Sequence, residues 1–149
     1  MSRIVSAFDT NVLVYAFNAG AAENSTARRL LEVHAPNPDM VISELVLVEF
    51  YILLRNPTVF AHPLDAAVAG ALVQSLRRHP RWRLVDHEPG VMDEVWAAAS
   101  KPSFSRRRIF DVRLAAGLRR HGVTQLFTRN VDDFTGLGIP QVVDPFAGI

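Results

Sequence analysis

Five short apolar runs, residues 4–8, 40–42, 82–85, 125–128 and 141–143, are set apart by longer segments of helical character. Strands separated this way do not close into tight hairpins. Crossover helices lay them parallel and cover the sheet. The intervening segments agree. Ala27, Leu30, Leu31 and His34 share one helical face behind Ser25, a suitable cap. Ser43 caps a helix over Glu44–Leu54, which Asn56-Pro57 closes. Leu64, Val68, Leu72 and Leu76 recur at four-residue spacing in a helix that ends before Pro80. Val91, Met92, Val95, Trp96 and Ala99 mark another, and a helix over residues 110–121 stops at Gly122, a left-handed terminator. The expectation is an α/β chain, a layered α/β/α domain.

A length of 149 residues suits one domain, 1–149, with a full core. An apolar fraction of 49% with 21% charge is a globular balance that excludes a disordered class. With no cysteine there is neither a disulfide framework nor a thiolate metal site. No apolar stretch reaches bilayer length and no signal-peptide pattern opens the chain, so a cytoplasmic protein without membrane attachment is expected. Of sixteen basic residues only Lys101 is not arginine. The arginines gather at 77–83, 106–108 and 119–120, and the planar guanidinium suits phosphate oxygens. The five histidines show no ligand spacing, and both tryptophans sit in patterns that place them in the core.

Four acidic residues stand in company that needs explaining. Asp9 follows the first apolar run, where α/β sheets bind ligands, although Asp-Thr-Asn is also good capping sequence. Glu49 lies in Leu45-Val46-Leu47-Val48-Glu49-Phe50-Tyr51-Ile52-Leu53-Leu54, with apolar residues three and four away on either side. A carboxylate there needs a metal, a proton, a route to water or an ion pair with an arginine such as Arg55 or Arg113. Asp111 shares a face with Leu114, Ala115 and Leu118, and also stands in a first helical turn, where a negative charge is favoured. Beyond the fourth run comes Thr128-Arg129-Asn130-Val131-Asp132-Asp133-Phe134. Phe134 should anchor this segment, which turns Asp133 inward and leaves Asp132 solvated.

Together these pieces resemble the PIN-domain ribonucleases, specifically the VapC-like toxins of prokaryotic toxin–antitoxin pairs. The likeness rests on Phe8-Asp9-Thr10-Asn11-Val12-Leu13-Val14-Tyr15-Ala16, on Ser43-Glu44-Leu45-Val46-Leu47-Val48-Glu49-Phe50, on Phe110-Asp111-Val112-Arg113-Leu114-Ala115-Ala116 and on the segment from Leu126 to Phe134. It implies a three-layer α/β/α sandwich with a mostly parallel five-stranded sheet of order 3-2-1-4-5. Asp9 and the loop after strand four would then flank the topological switch point. In place of the aspartate that some PIN proteins carry after strand four, this chain has Asn130, so Asp133 would supply the fourth carboxylate.

The activity implied is Mg²⁺- or Mn²⁺-dependent endoribonuclease cleavage. Asp9 and Asp111 would ligate metal, and Glu49 and Asp133 would complete the catalytic set. Asn11, Thr128, Asn130, Arg106, Arg107, Arg108 and Arg113 would contact RNA. A cognate VapB-like antitoxin is the expected partner, with a homodimer drawing on the apolar stretch at residues 50–54. One rival is a non-catalytic PIN-like module that binds RNA or protein. Another is a phosphatase or phosphotransfer domain with Asp9 as nucleophile. A haloacid-dehalogenase-type site wants a second aspartate where Asn11 stands, and a receiver domain wants a lysine after strand five.

Overall fold

A computed structural model describes residues 3–149; the first two residues of the expected domain 1–149 lie outside the described residues. The chain runs β1 (Ser6–Phe8), α1 (Thr10–Ala16), α2 (Asn24–His34), β2 (Met40–Ser43), α3 (Glu44–Leu54), α4 (Ala66–Arg77) and β3 (Arg83–Val85). It continues through α5 (Val91–Ala99), α6 (Arg108–Arg120), β4 (Gln125–Phe127), a 3-10 turn (Val131–Phe134) and β5 (Gln141–Val143). The five strands form one sheet in the order β3-β2-β1-β4-β5, and every pairing is parallel. Helices sandwich it in three layers: α1 packs on α2 and α3, α3 on α4, and α5 on α6. From β1 the chain winds first to β2 and later to β4 on the other side, so the crevice opens beyond the carboxyl ends of β1 and β4.

Local chemistry sets the helix starts. Asp9 accepts from the Thr10 N–H at 2.8 Å, Ser43 from the Leu45 N–H at 3.2 Å and Asp65 from the Val68 N–H at 2.9 Å. Each such cap stabilises its helix by about 1 kcal/mol. Ser25 does not cap α2, which begins a residue before it with Glu23 at the cap position. The Asn24 amide is drawn instead to the last carbonyls of α1, at Tyr15 and Ala16. The last long helix starts at Arg108 rather than 110, and Gly122 ends it at a φ of 80°.

The core gathers Phe8, Leu13, Ile42, Leu47, Phe50, Leu126 and Phe134 between sheet and helices. Cutting a fully buried residue such as Phe50 to alanine costs about 3–5 kcal/mol. A smaller cluster, Val91, Val95, Val112 and Ala116, joins α5 to α6. Trp82 is buried, and its ring N–H donates to the His34 carbonyl at 2.8 Å. Trp96, expected in the core, is 57% exposed, because α5 seats Val91 and Val95 inward and turns the indole out. Val68 is exposed for the same reason: Ala69 and Leu76 carry the inner face of α4. Among the described residues no helix is long and apolar enough to cross a membrane.

Candidate active site

The β1–β4 ladder runs up to the crevice. The Asp9 N–H donates to the Phe127 carbonyl at 2.9 Å, which fixes the backbone from which the carboxylate projects. One Asp9 oxygen caps α1; the other accepts from the Thr128 hydroxyl at 2.8 Å and the Asn11 amide at 3.4 Å. Capping and a place in the crevice, which compete as readings of the sequence, are therefore both true of one carboxylate. A carboxylate has about four acceptor positions, so three donors leave room for a further partner.

Glu49 reaches the same space from α3. The Thr10 hydroxyl, buried in the first turn of α1, donates to it at 3.0 Å. Asp111 arrives from the first turn of α6, and Asp133 from the 3-10 turn anchored by buried Phe134. Among the described residues no side chain donates a hydrogen bond to Asp111 or Asp133, and none of the four acids joins an ion pair. Arg55 turns to the Tyr51 hydroxyl instead of Glu49.

The acids feel one another. Burial pushes Asp111 up to about 6, with further increments from Asp133, Asp9 and Glu49 that the Arg108 guanidinium offsets only in part. Asp9 is raised by burial against the lowering pull of Thr128 and Thr10, and Asp133 adds to the rise. Glu49 is raised by burial, lowered by Thr10 and raised again by Asp9. Asp133 is thus the member of the adjacent pair whose charge reaches the crevice, although its side chain stays exposed at the rim.

A cavity of about 330 Å³ joins Asp9, Glu49 and Asp111, with Asp133 outside its lining. Asp9, Thr10, Asn11, Glu49, Asp111 and Asn130 form its polar wall; Val14, Tyr15, Leu53, Val59, Phe110 and Leu114 form an apolar one. Thr128 is fully buried behind Asp9, so it orients that carboxylate, and Asn11 spans Asp9, Thr128 and the Arg129 N–H. Arg106 and Arg107 lie exposed in the turn before α6. Arg113 lines a separate cleft with Ser43, Glu44, Asp86 and His87. Two residues from Asp111, it projects from a different side of the helix, while Arg108, three residues away, shares the acid's face. The sequence reading passed over Thr10 as an orienting donor and Phe110 as a wall; Thr10's place between Asp9 and the first apolar turn was the available signal.

Among the described residues no three His, Cys, Asp or Glu side chains are grouped closely enough to hold a metal ion as they stand. The donor chemistry nonetheless fits a hard divalent cation. The acids offer only oxygen, join no ion pair among the described residues and repel one another, and a cation relieves that repulsion. Asp111 and Asp133, which no side-chain hydrogen bond holds, are free to rotate toward it.

Known proteins resemble this chain in sequence and fold. Residues 7–138 match the PIN domain model. Ribonuclease VapC24 of Mycobacterium tuberculosis, in strains CDC 1551 / Oshkosh and H37Rv, is 47% identical over 137 residues, covering 92% of this chain and 94% of the relative. Among solved structures, M. tuberculosis VapC20, described as a Sarcin-Ricin loop cleaving toxin, superposes with a TM-score of 0.62 at 21% identity, over 81% of this chain and 86% of that one. FitAcB from Neisseria gonorrhoeae gives 0.63 at 17% identity, over 95% and 99%. These two likenesses bear on the fold. With the domain match and the 47% identity beside them, the chain belongs to the PIN-domain family, among its VapC ribonucleases.

Proposed function

We propose that the protein is a divalent-metal-dependent endoribonuclease that cuts RNA at the Asp9 crevice and is held inactive by a cognate VapB-like antitoxin. The observation that carries the reading is that Asp9, Glu49 and Asp111 line one crevice with the charge of Asp133 at its rim, and that among the described residues no arginine is paired to any of them, in a chain rich in arginine. Asp9 and Asp111 would hold Mg²⁺ or Mn²⁺ directly, with Glu49 and Asp133 binding further out or through water. When bound, the cation lowers the pKa of the attacking water and neutralises charge on the scissile phosphate.

The chain's own residues do the rest. Thr128 and Asn11 hold the Asp9 carboxylate in place, and Thr10 does the same for Glu49. Water bonds to phosphorus as one bridging P–O bond breaks. Glu49 takes the proton the water loses, and the departing oxygen takes a proton from solvent water. Arg108, whose charge already reaches Asp111, steadies the RNA backbone, with Arg106 and Arg107 along the rim. Asn130 meets the substrate from the polar wall. Arg113, in its separate cleft, would touch only a more distant part of the RNA.

The reading treats residues 1–149 as one domain of a cytoplasmic protein. It also includes a homodimer that draws on the exposed part of the apolar stretch at residues 50–54. Phe50 and Leu54 are buried in the core, whereas Val48 and Ile52 on α3 stay exposed beside an apolar groove shared with Val73 of α4. The purified protein is expected to cut members of a broad RNA panel with Mg²⁺ or Mn²⁺ and to stop when EDTA is added. RNA binding with no metal-dependent cutting would assign a binding module instead.

A further inference from the structure

The crevice has an apolar half that phosphodiester hydrolysis alone does not require. Phe110 precedes Asp111 on α6 and is 61% exposed, yet it walls the same cavity as Asp9, Glu49 and Asp111. Val14, Leu53 and Val59 extend that wall. Asn130, whose side-chain amide has no hydrogen-bond partner among the described residues, borders the cavity from its polar side. A flat ring, an aliphatic floor and a free amide are what an unstacked base needs, because single-stranded RNA is read by stacking and by hydrogen bonds to base edges.

Connectivity supplies the occupant. Phe110 and Asp111 line one cavity, so a strand that sets a phosphate against Asp111 brings its adjoining base within reach of Phe110. We propose that the Phe110 wall is a nucleobase subsite, which seats the base next to the scissile phosphate of single-stranded RNA. This rests on the ribonuclease reading and deepens it: part of the choice of cleavage site is made by stacking at the crevice itself.

The test pairs a protein change with a substrate change. After the cleavage site of a short RNA is mapped, two further RNAs carry an abasic residue just 5′ or just 3′ of it. Wild-type protein should lose about tenfold in kcat/KM on one abasic RNA, the scale of a lost base–aromatic stack. Phe110→Ala should lose about tenfold on intact RNA and nothing further on that abasic RNA, while Phe110→Trp restores the preference. Exposure of the ring means the variant should melt like wild type. Indifference of wild type to both abasic RNAs overturns the subsite, as do losses that simply multiply. Phe110→Ala cutting at the wild-type rate while escaping antitoxin would also overturn it and give the wall to the protein partner. Wild type that cuts no RNA with either metal fails the ribonuclease reading, and the subsite with it, before any variant is compared.

Discussion

Thr128 and Arg129, consecutive residues beyond β4, serve two regions that treat acids in opposite ways. Arg129 turns to the C-terminal segment. Its guanidinium donates to Asp144 at 3.2 Å and to the carbonyls of Phe146 and Ile149 at 2.9 and 3.2 Å, and lies over the buried Phe146 ring. Thr128 turns to the crevice and gives Asp9 a neutral hydroxyl. Elsewhere too, acids near arginine are paired: Asp39 with Arg3, Glu44 with Arg77, Glu94 with Arg119. In the crevice, hydroxyl and amide donors orient Asp9 and Glu49 while their charge, and that of Asp111, goes uncompensated by any ion pair. The chain does not lack cations. Among the described residues it pairs none of them with a crevice acid, and Arg108 offsets the charge at Asp111 only in part.

The contrast predicts opposite responses. Asp111→Asn or Asp9→Asn should lower RNA cleavage by about 10²–10³-fold or more, the scale set by removing one group that stabilises transition-state charge. Asp111→Asn should at the same time stabilise the metal-free protein. The sign follows from linkage. Folded Asp111 titrates near 6, above its ordinary value of 3.8, so the folded state holds the proton more tightly and stability falls as pH rises between those values. Melting in EDTA should therefore show the variant level with wild type near pH 4 and higher above pH 6, by a few degrees. Added Mn²⁺ should close that gap by stabilising wild type alone. A variant less stable than wild type at pH 7.5 without metal would break the comparison.

Arg129→Ala is the converse. It strips the ion pair with Asp144 and both carbonyl contacts, for a loss of about 2 kcal/mol. The melting temperature should drop by about 4–8 °C. Cleavage per folded molecule should stay as in wild type, because the Arg129 contact with Asn11 is through its backbone N–H. A loss of kcat in fully folded protein would place Arg129 in the chemistry and blur the two regions.

How much of this was legible depended on whether a signal was local. Alternating strands and helices lead to a parallel layered sheet, and Glu49 among leucines and valines declares its own need for company. Helical geometry was also available for the arginines, since residues two apart diverge and residues three apart align, which separates Arg113 from Arg108. Trp96 was less accessible. α5 is short, and apart from Asp93 and Glu94 its residues are apolar, so periodicity could not say whether Trp96 would share the face that α6 covers. Thr10's place beside Asp9 marked it as a donor, but its choice of Glu49 depends on how α1 lies across α3, which neither segment states by itself. Arg129 reads as part of a polar turn until the C-terminal segment folds back onto it.

The smallest effect concerns the neutral donor itself. Thr128 is fully buried, and its hydroxyl both donates to Asp9 and accepts from the Asn130 N–H at 3.0 Å. Thr128→Val keeps the shape and removes the hydroxyl. Asp9 then loses a hydrogen bond that favours its charged form, and burial already holds its pKa above the ordinary carboxylate range. The pKa must rise further, so the acidic limb of cleavage against pH moves to higher pH. Activity should fall severalfold on the acidic limb and change little on the plateau above it. Thr128→Ser, which restores the donor, should bring the limb back. A uniform loss at every pH, unrepaired by serine, would mean that Thr128 holds the backbone of its loop and that the tuning of Asp9 lies with Asn11 and the Thr10 N–H instead.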